Sequence, residues 1–216
     1  MLNIKSAIFD VDGTLLNSMH IWENVAADYL RVQGITPRAN LNADLIARGG
    51  HEMPRYFQEE YGLRKRIDEI ERGMYKLLED FYFLKAQLKA GVISVLDAFL
   101  LRNIRMCVAT ATDRWLVEPA LRRCGILDYF ERVFTCGEEK TNKRSPEIYL
   151  RAAKYLKTDI ADTLVVEDAP YAIETAKRAG FRVAAVYDLS ADGKQDEVKK
   201  TCDYYFVSID EMITQL

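Results

Sequence analysis

The sequence predicts an α/β protein: a doubly wound parallel sheet interrupted, after its first strand, by an inserted all-helical block. Three observations predict it. Short apolar runs of strand length alternate with stretches of helical spacing, which is the signature of βαβ units. The interval from Ser18 to Leu88 carries helical periodicity and no convincing strand. The first apolar run ends in two carboxylates, Asp10 and Asp12, beyond the carboxyl end of a strand, where open α/β sheets hold their ligands.

Taken in order, Ser6–Phe9 reads as the first strand, followed by Asp10-Val11-Asp12-Gly13-Thr14. If the strand continued, its alternation would put both aspartates on one face. Gly13 breaks the run with a residue that tolerates any backbone conformation. The helical block follows, with Ile21, Val25 and Tyr29 in register and a long helical stretch over Ile67–Leu88. The expected domains are therefore 1–17 with 89–216 for the sheet core and 18–88 for the insert. Gly91 marks re-entry, with a helix-like run over Val92–Leu101. Strands are then expected at Arg105–Thr110, Arg132–Thr135, Thr163–Val166, Arg182–Tyr187 and, more weakly, Tyr204–Val207. Helices fall between them at Trp115–Cys124, Pro146–Leu156 and Tyr171–Ala179, with Gly125 and Gly180 at the ends of two.

Composition narrows the function classes. The 216 residues are 49% hydrophobic and 29% charged, ordinary for a globular protein, and the net charge of −3 gives no case for nucleic acid or anionic membrane as a partner. No apolar run approaches a membrane span, and Met1–Lys5 lacks the apolar stretch of a secretory signal, so a cytoplasmic location is expected. Cys107, Cys124, Cys136 and Cys202 show no CxxC spacing and read as thiols. Two histidines are too few for a histidine-rich centre, so a metal here should be a hard one held by oxygens.

Polar groups at four strand ends or loops belong together: Asp10 with Asp12; Thr110, ending Met106-Cys107-Val108-Ala109; Lys143, ahead of a helix; and Glu167-Asp168, ending Leu164-Val165-Val166. Each alone has a plainer reading. Thr110 would satisfy backbone at a strand end, Lys143 would be a solvated charge, and Asp10 with Asp12 would make a turn. Asp168, before Ala169-Pro170, would cap the next helix.

As an ordered set the four resemble the haloacid dehalogenase superfamily, and within it the β-phosphoglucomutase-like hydrolases with a helical cap. The opening Asp-x-Asp-Gly-Thr-Leu is the most specific motif, and the resemblance covers nearly the whole chain. It implies a Rossmann-like core, a substrate-selecting cap over 18–88, and a Mg²⁺-dependent phosphatase acting on a small, sugar-phosphate-like metabolite. By resemblance Asp10 is the nucleophile that forms an aspartyl-phosphate, and Asp12 protonates the leaving alcohol and then activates water. Asp10, the backbone carbonyl of Asp12, Asp168 and Glu167 would hold Mg²⁺. Thr110 would hydrogen-bond the phosphoryl group and Lys143 would offset its charge. A monomer is the implied state.

The chain departs from the family pattern in places. Arg144 stands where proline usually follows the lysine, and would add a second positive charge near the phosphate. Ala169 and Ala172 replace a serine and a glycine, and Asn17 replaces an aspartate, with Ser18 kept. Asp12 favours phosphoryl transfer over dehalogenation, because a halide leaving group needs no acid. Phosphonate cleavage would need a cap lysine, and Lys65, Lys76 and Lys85 sit in no readable signature.

A phosphomutase is the alternative. It needs a second phosphate grip, for which Arg48 in Arg48-Gly49-Gly50-His51 is the candidate; a polar helix end is an equal reading for Arg48 and His51. His20 and Trp22 are placed with the same substrate cleft. Trp22 stands where the mutase carries a histidine, which favours hydrolysis. The aromatic residues Tyr56, Phe57, Tyr61, Tyr75, Phe81, Tyr82 and Phe83 read as core. Phospho-accepting receiver modules share an aspartate, threonine and lysine, but lack the second acid and are about half as long. A catalytically silent scaffold is disfavoured by the intact set.

Overall fold

The computed structural model describes residues 3–49 and 52–215. They form two compact units, one of residues up to Ser18 and from Ala86 onward, the other Met19–Lys85.

The first unit is built on a six-stranded sheet in the order β3-β2-β1-β4-β5-β6, with every pairing parallel. The strands are β1 (Ser6–Phe9), β2 (Arg105–Thr110), β3 (Val133–Thr135), β4 (Thr163–Glu167), β5 (Arg182–Val186) and β6 (Tyr204–Phe206). Both sheet faces are covered, so the central strands are apolar throughout rather than alternating. On one face Ile8, Cys107, Ala109, Val165, Val183 and Ala185 pack with side chains from α8 (Glu147–Leu156), α9 (Pro170–Arg178) and α10 (Gln195–Thr201). On the other, the Phe9 ring meets Phe99 of α5 (Val92–Leu101) at 5.7 Å and Phe130 at 5.9 Å. A four-residue helix, α7 (Cys136–Glu139), follows β3, and α6 (Arg114–Arg123) joins β2 to β3.

The chain leaves and re-enters this unit through two paired segments. Asn17 N–H donates to Gln87 O and Lys89 N–H to Leu15 O, both at 2.9 Å, around an antiparallel bridge between Leu16 and Leu88. That pairing is why residues 86–88 group with the sheet. The expected long helix stops accordingly: α4 spans Ile67–Leu84, not to Leu88. The other boundaries shift by a residue. Arg132 precedes β3, β4 gains Glu167, and β5 and β6 stop before Tyr187 and Val207.

The second unit is entirely helical, with α1 (Met19–Val32), α2 (Leu41–Arg48), α3 (Met53–Tyr61) and α4. Each presents an apolar stripe to a core of Ala26, Tyr29, Leu30, Leu41, Leu45, Tyr56, Phe57 and Ile70. Tyr29 stacks on Phe57 with ring centres 5.9 Å apart. Gly73 lets α4 approach α1 closely, since a Cβ there would lie 2.4 Å from the Tyr29 ring. Tyr56, Phe57, Phe81 and Tyr82 are buried, whereas Tyr75 is exposed. Among the described residues no helix is long and apolar enough to cross a membrane.

Candidate active site

The strand order runs outward from β1 on one side and from β4 on the other, so the topological switch point lies between these two. Ligands of open α/β sheets bind at the carboxyl ends of such strands. Asp10 stands one residue past β1, its N–H still donating to Val166 O at 3.0 Å, and Glu167 ends β4 beside it. Thr110 ends β2 on the other flank of β1.

Asp10, Glu167 and Asp168 each bring a carboxylate oxygen within 4.8 Å of the others, and all three are buried. Lys143, in the loop before α8, lies among them with its side chain only 3% exposed. Its ammonium donates to Glu167 Oε1 at 2.6 Å and to Asp10 Oδ1. Tyr149 donates its hydroxyl to the same Glu167 oxygen at 2.7 Å, and Thr14 Oγ1 donates to Asp168 Oδ1 at 3.2 Å.

Three acids against one cation leave strong electrostatic tension. Burial, then the Glu167 charge, pushes the Asp10 carboxyl well above its ordinary value. The same two causes, in the same order, raise Asp168 to about 7. Burial opposes the charge of Lys143, yet Asp10 and Glu167 more than reverse this and hold its pKa above the usual lysine range.

Glu167 Oε2 is buried and has no hydrogen-bond partner. An unsatisfied carboxylate oxygen in such a place is costly unless something positive meets it. The donor set is all oxygen, which suits a hard divalent cation. The residues present therefore fit Mg²⁺.

The strand alternation considered for Asp10 and Asp12 does not extend to Asp12, because the strand stops before both. The strand ends at Phe9, and Gly13, at φ 84°, turns the chain so that the N–H groups of Thr14, Leu15 and Leu16 all donate to Val11 O. Only glycine adopts that conformation without strain. The Asp12 carboxylate instead accepts from Ser18 Oγ at 2.6 Å and from Thr112 Oγ1 at 2.5 Å. Lys89 secures this loop from outside, donating to Gly13 O and Tyr187 O at 2.7 Å and to Asp188 Oδ2 at 3.0 Å.

Asp168 does not cap α9. The capping position is Ala169, with no side-chain bond, and the Asp168 carboxylate is turned to Thr14 instead. Thr110 Oγ1 accepts the Thr112 N–H at 3.1 Å, which leaves its own O–H to donate. Arg144 is exposed, with its guanidinium 4.7 Å from the Tyr171 ring centre.

The remaining candidates among the described residues, Arg48, His20 and Trp22, lie in the helical unit, each on its own partners. Arg48 ends α2 with its guanidinium on Glu59 at 2.8 Å and Glu60 at 3.5 Å, over the Tyr56 ring. His20 is exposed and edge-on to Phe81. Trp22 Nε1 donates to Tyr82 Oη at 2.8 Å. His51 lies outside the described residues.

Sequence reasoning gave no role to Thr112, Tyr149 or Thr14. Thr14 carried a signal, being part of the opening motif, and Thr112 lies two residues past Thr110. Tyr149 carried none, because a helical aromatic reads as core.

These features define a class: a doubly wound α/β enzyme whose centre is a buried group of carboxylates around one lysine. The profile of the haloacid dehalogenase-like hydrolases matches residues 7–186, and the chain belongs to that family. Its relatives include a (DL)-glycerol-3-phosphatase 2 of Arabidopsis thaliana, 28% identical over 91% of this chain and 85% of the relative. A bifunctional riboflavin kinase/FMN phosphatase of the same plant is 27% identical over 97% of this chain; the match spans only 52% of that longer protein. Among solved structures, a candidate β-phosphoglucomutase of Thermotoga maritima shares the fold at a TM-score of 0.84, with 21% identity and 98% of both chains covered.

Proposed function

We propose that this phosphate-ester hydrolase acts on a small phosphorylated metabolite of the sugar-phosphate kind, through a phospho-enzyme on Asp10 and with Mg²⁺ as cofactor. One observation carries the reading: Asp10 is held by Lys143 inside a buried carboxylate group, while a second acid, Asp12, two residues on, is held by two hydroxyls.

Phosphate monoesters hydrolyse extremely slowly in water, so positioning and charge stabilisation must supply the rate. In the first step an Asp10 oxygen bonds to phosphorus as the ester P–O bond breaks, and Asp12 gives its proton to the leaving oxygen. In the second, Asp12 takes a proton from water, the water oxygen bonds to phosphorus, and Asp10 is released with inorganic phosphate. Lys143 favours the ionised form of Asp10 and faces the charge of the transferring group. Thr110 has an O–H to offer a phosphoryl oxygen. Asp10, Glu167 and Asp168 would hold Mg²⁺, which supplies positive charge against the phosphoryl oxygens. The helical unit is assigned the choice of substrate.

Hydrolysis is preferred to mutase chemistry because Arg48, the candidate for a second phosphate grip, is already engaged by Glu59 and Glu60. The test is phosphate release from a panel of phosphorylated metabolites, with Mg²⁺ or chelator. Release that needs the metal and falls by about a thousandfold or more in Asp10→Asn supports the reading. Full activity of Asp10→Asn would overturn the mechanism, and isomerisation of sugar phosphates without free phosphate would replace hydrolysis by mutase chemistry.

A further inference from the structure

Arg144 is a cation held in place without an acid. Its guanidinium lies 4.7 Å from the ring centre of Tyr171, and no carboxylate among the described residues pairs with it. Other arginines of the same unit are committed: Arg105 to Glu131, Arg114 to Glu118 and Glu138, and Arg151 to Glu139. Stacking on an aromatic face fixes the guanidinium plane while leaving its N–H edge free for an anion.

Both members of the pair stand close in the chain to residues of the carboxylate centre. Arg144 follows Lys143, whose ammonium touches Asp10 and Glu167. Tyr171 lies in the first turn of α9, three residues beyond Asp168. Its hydroxyl pKa is raised by burial and next by the Glu167 charge, with Asp10 and Asp168 contributing, so the ring lies within the field of the centre. The backbone supports the placement, since Arg144 N–H donates to Asn142 Oδ1 at 2.9 Å. This chain thus sets a second cation, seated on an aromatic ring, next to its lysine.

We infer that Arg144, carried on the face of Tyr171, forms a subsite for a second anionic group of the substrate, a carboxylate or a second phosphate. This rests on the reading of the centre as a phosphate-ester site. An uncommitted, pre-oriented guanidinium recognises such groups through two parallel N–H···O bonds, which lysine cannot reproduce.

Matched pairs test it: 3-phosphoglycerate against glycerol 3-phosphate, and fructose 1,6-bisphosphate against fructose 6-phosphate. The member with the extra anion should be preferred about tenfold or more in kcat/KM in at least one pair. The pair that responds tells carboxylate from phosphate. Arg144→Ala should bring that preference to within about threefold, mainly through KM, with Arg144→Lys intermediate. Absence of any preference in the wild type, or equal loss on both members of each pair in Arg144→Ala, overturns the subsite. Calorimetric titration of the same compounds into Asp10→Asn protein reads the subsite without turnover. A preference there that vanishes with Arg144→Ala supports it even if no ester is hydrolysed, in which case the phosphatase reading alone fails.

Discussion

The two units bury very different things. The sheet unit takes Asp10, Lys143, Glu167, Asp168 and Asp188 out of water, together with Thr14, Ser18, Thr110 and Thr112. Among the described residues between Met19 and Lys85 the buried ones are apolar or aromatic, and the ion pairs of Arg31, Arg38, Arg48, Arg72 and Lys76 lie on the surface. Exposed pairs of this sort contribute little to stability. The helical unit thus has the core of an ordinary helical bundle, held by packing. The sheet unit accepts the cost of desolvated charge, and four of these groups, Asp10, Lys143, Glu167 and Asp168, gather at the switch point of its sheet, while Asp188 pairs with Lys89 beyond β5. Costly burial of charge marks where the chemistry is.

The largest expected effect separates the two aspartates within the sheet unit. Asp12→Asn should slow hydrolysis of alkyl phosphates by about 10²–10⁴, and p-nitrophenyl phosphate much less, because a good leaving group needs little protonation. Steady-state rates across leaving groups check this; equal losses would show that Asp12 is not the acid.

Removing the buried Lys143 should break the sheet unit harder than a change of a surface charge such as Arg48 breaks the helical one. Lys143→Met leaves Asp10 and Glu167 without their shared partner, so we expect a loss of about 3–5 kcal/mol in denaturant unfolding near neutral pH. Lower pH should relieve part of it by protonating the carboxylates. A loss no larger than that of Arg48→Ala would erase the distinction between the units.

The helical unit should be sensitive to shape instead. Gly73→Ala places a methyl group against the Tyr29 ring, and an expected cost of about 1–3 kcal/mol should appear in its unfolding, with the sheet unit less affected. Amide exchange resolved by residue would separate the two. A stabilised variant would mean that the gain in helix propensity outweighs the clash.

The smallest effect concerns the metal. In chelated protein the Asp168 carboxyl is raised from 3.8 to about 7 in the folded state. The folded form therefore binds more protons than the unfolded one between these values, and stability falls as pH rises through that window. A divalent cation competes with that proton. The Tm increase on adding Mg²⁺ should be a few degrees larger at pH 7.5 than at pH 5. The same increment at both pH values would detach the carboxylates from metal binding.

Much of the fold was legible because both faces of the sheet are buried. Runs such as Leu164-Val165-Val166 and Met106-Cys107-Val108-Ala109 had to be apolar throughout, and glycines marked two helix ends. Misplaced ends were those set by partners distant in sequence. Nothing local to Leu84 announces that residues 86–88 will pair with Leu16 and Asn17. In the site, Asp10, Thr110, Lys143, Glu167 and Asp168 could be read as an ordered set. Tyr149 and Thr112 could not, since an aromatic on a helix and a hydroxyl after a strand have commoner uses.

Local pattern was enough to predict the alternation of strands and helices and to single out the acids and the lysine that the fold brings together. Those follow from period, chemical type and motif, which are properties of neighbouring residues. Folding alone settles that Asp12 is held by Ser18 and Thr112, that Glu167 keeps an oxygen without a partner, that Arg48 is spent on two glutamates, and that Arg144 rests on Tyr171. Each of these is settled by what a side chain meets beyond its neighbours in the chain, and local pattern carries no record of that.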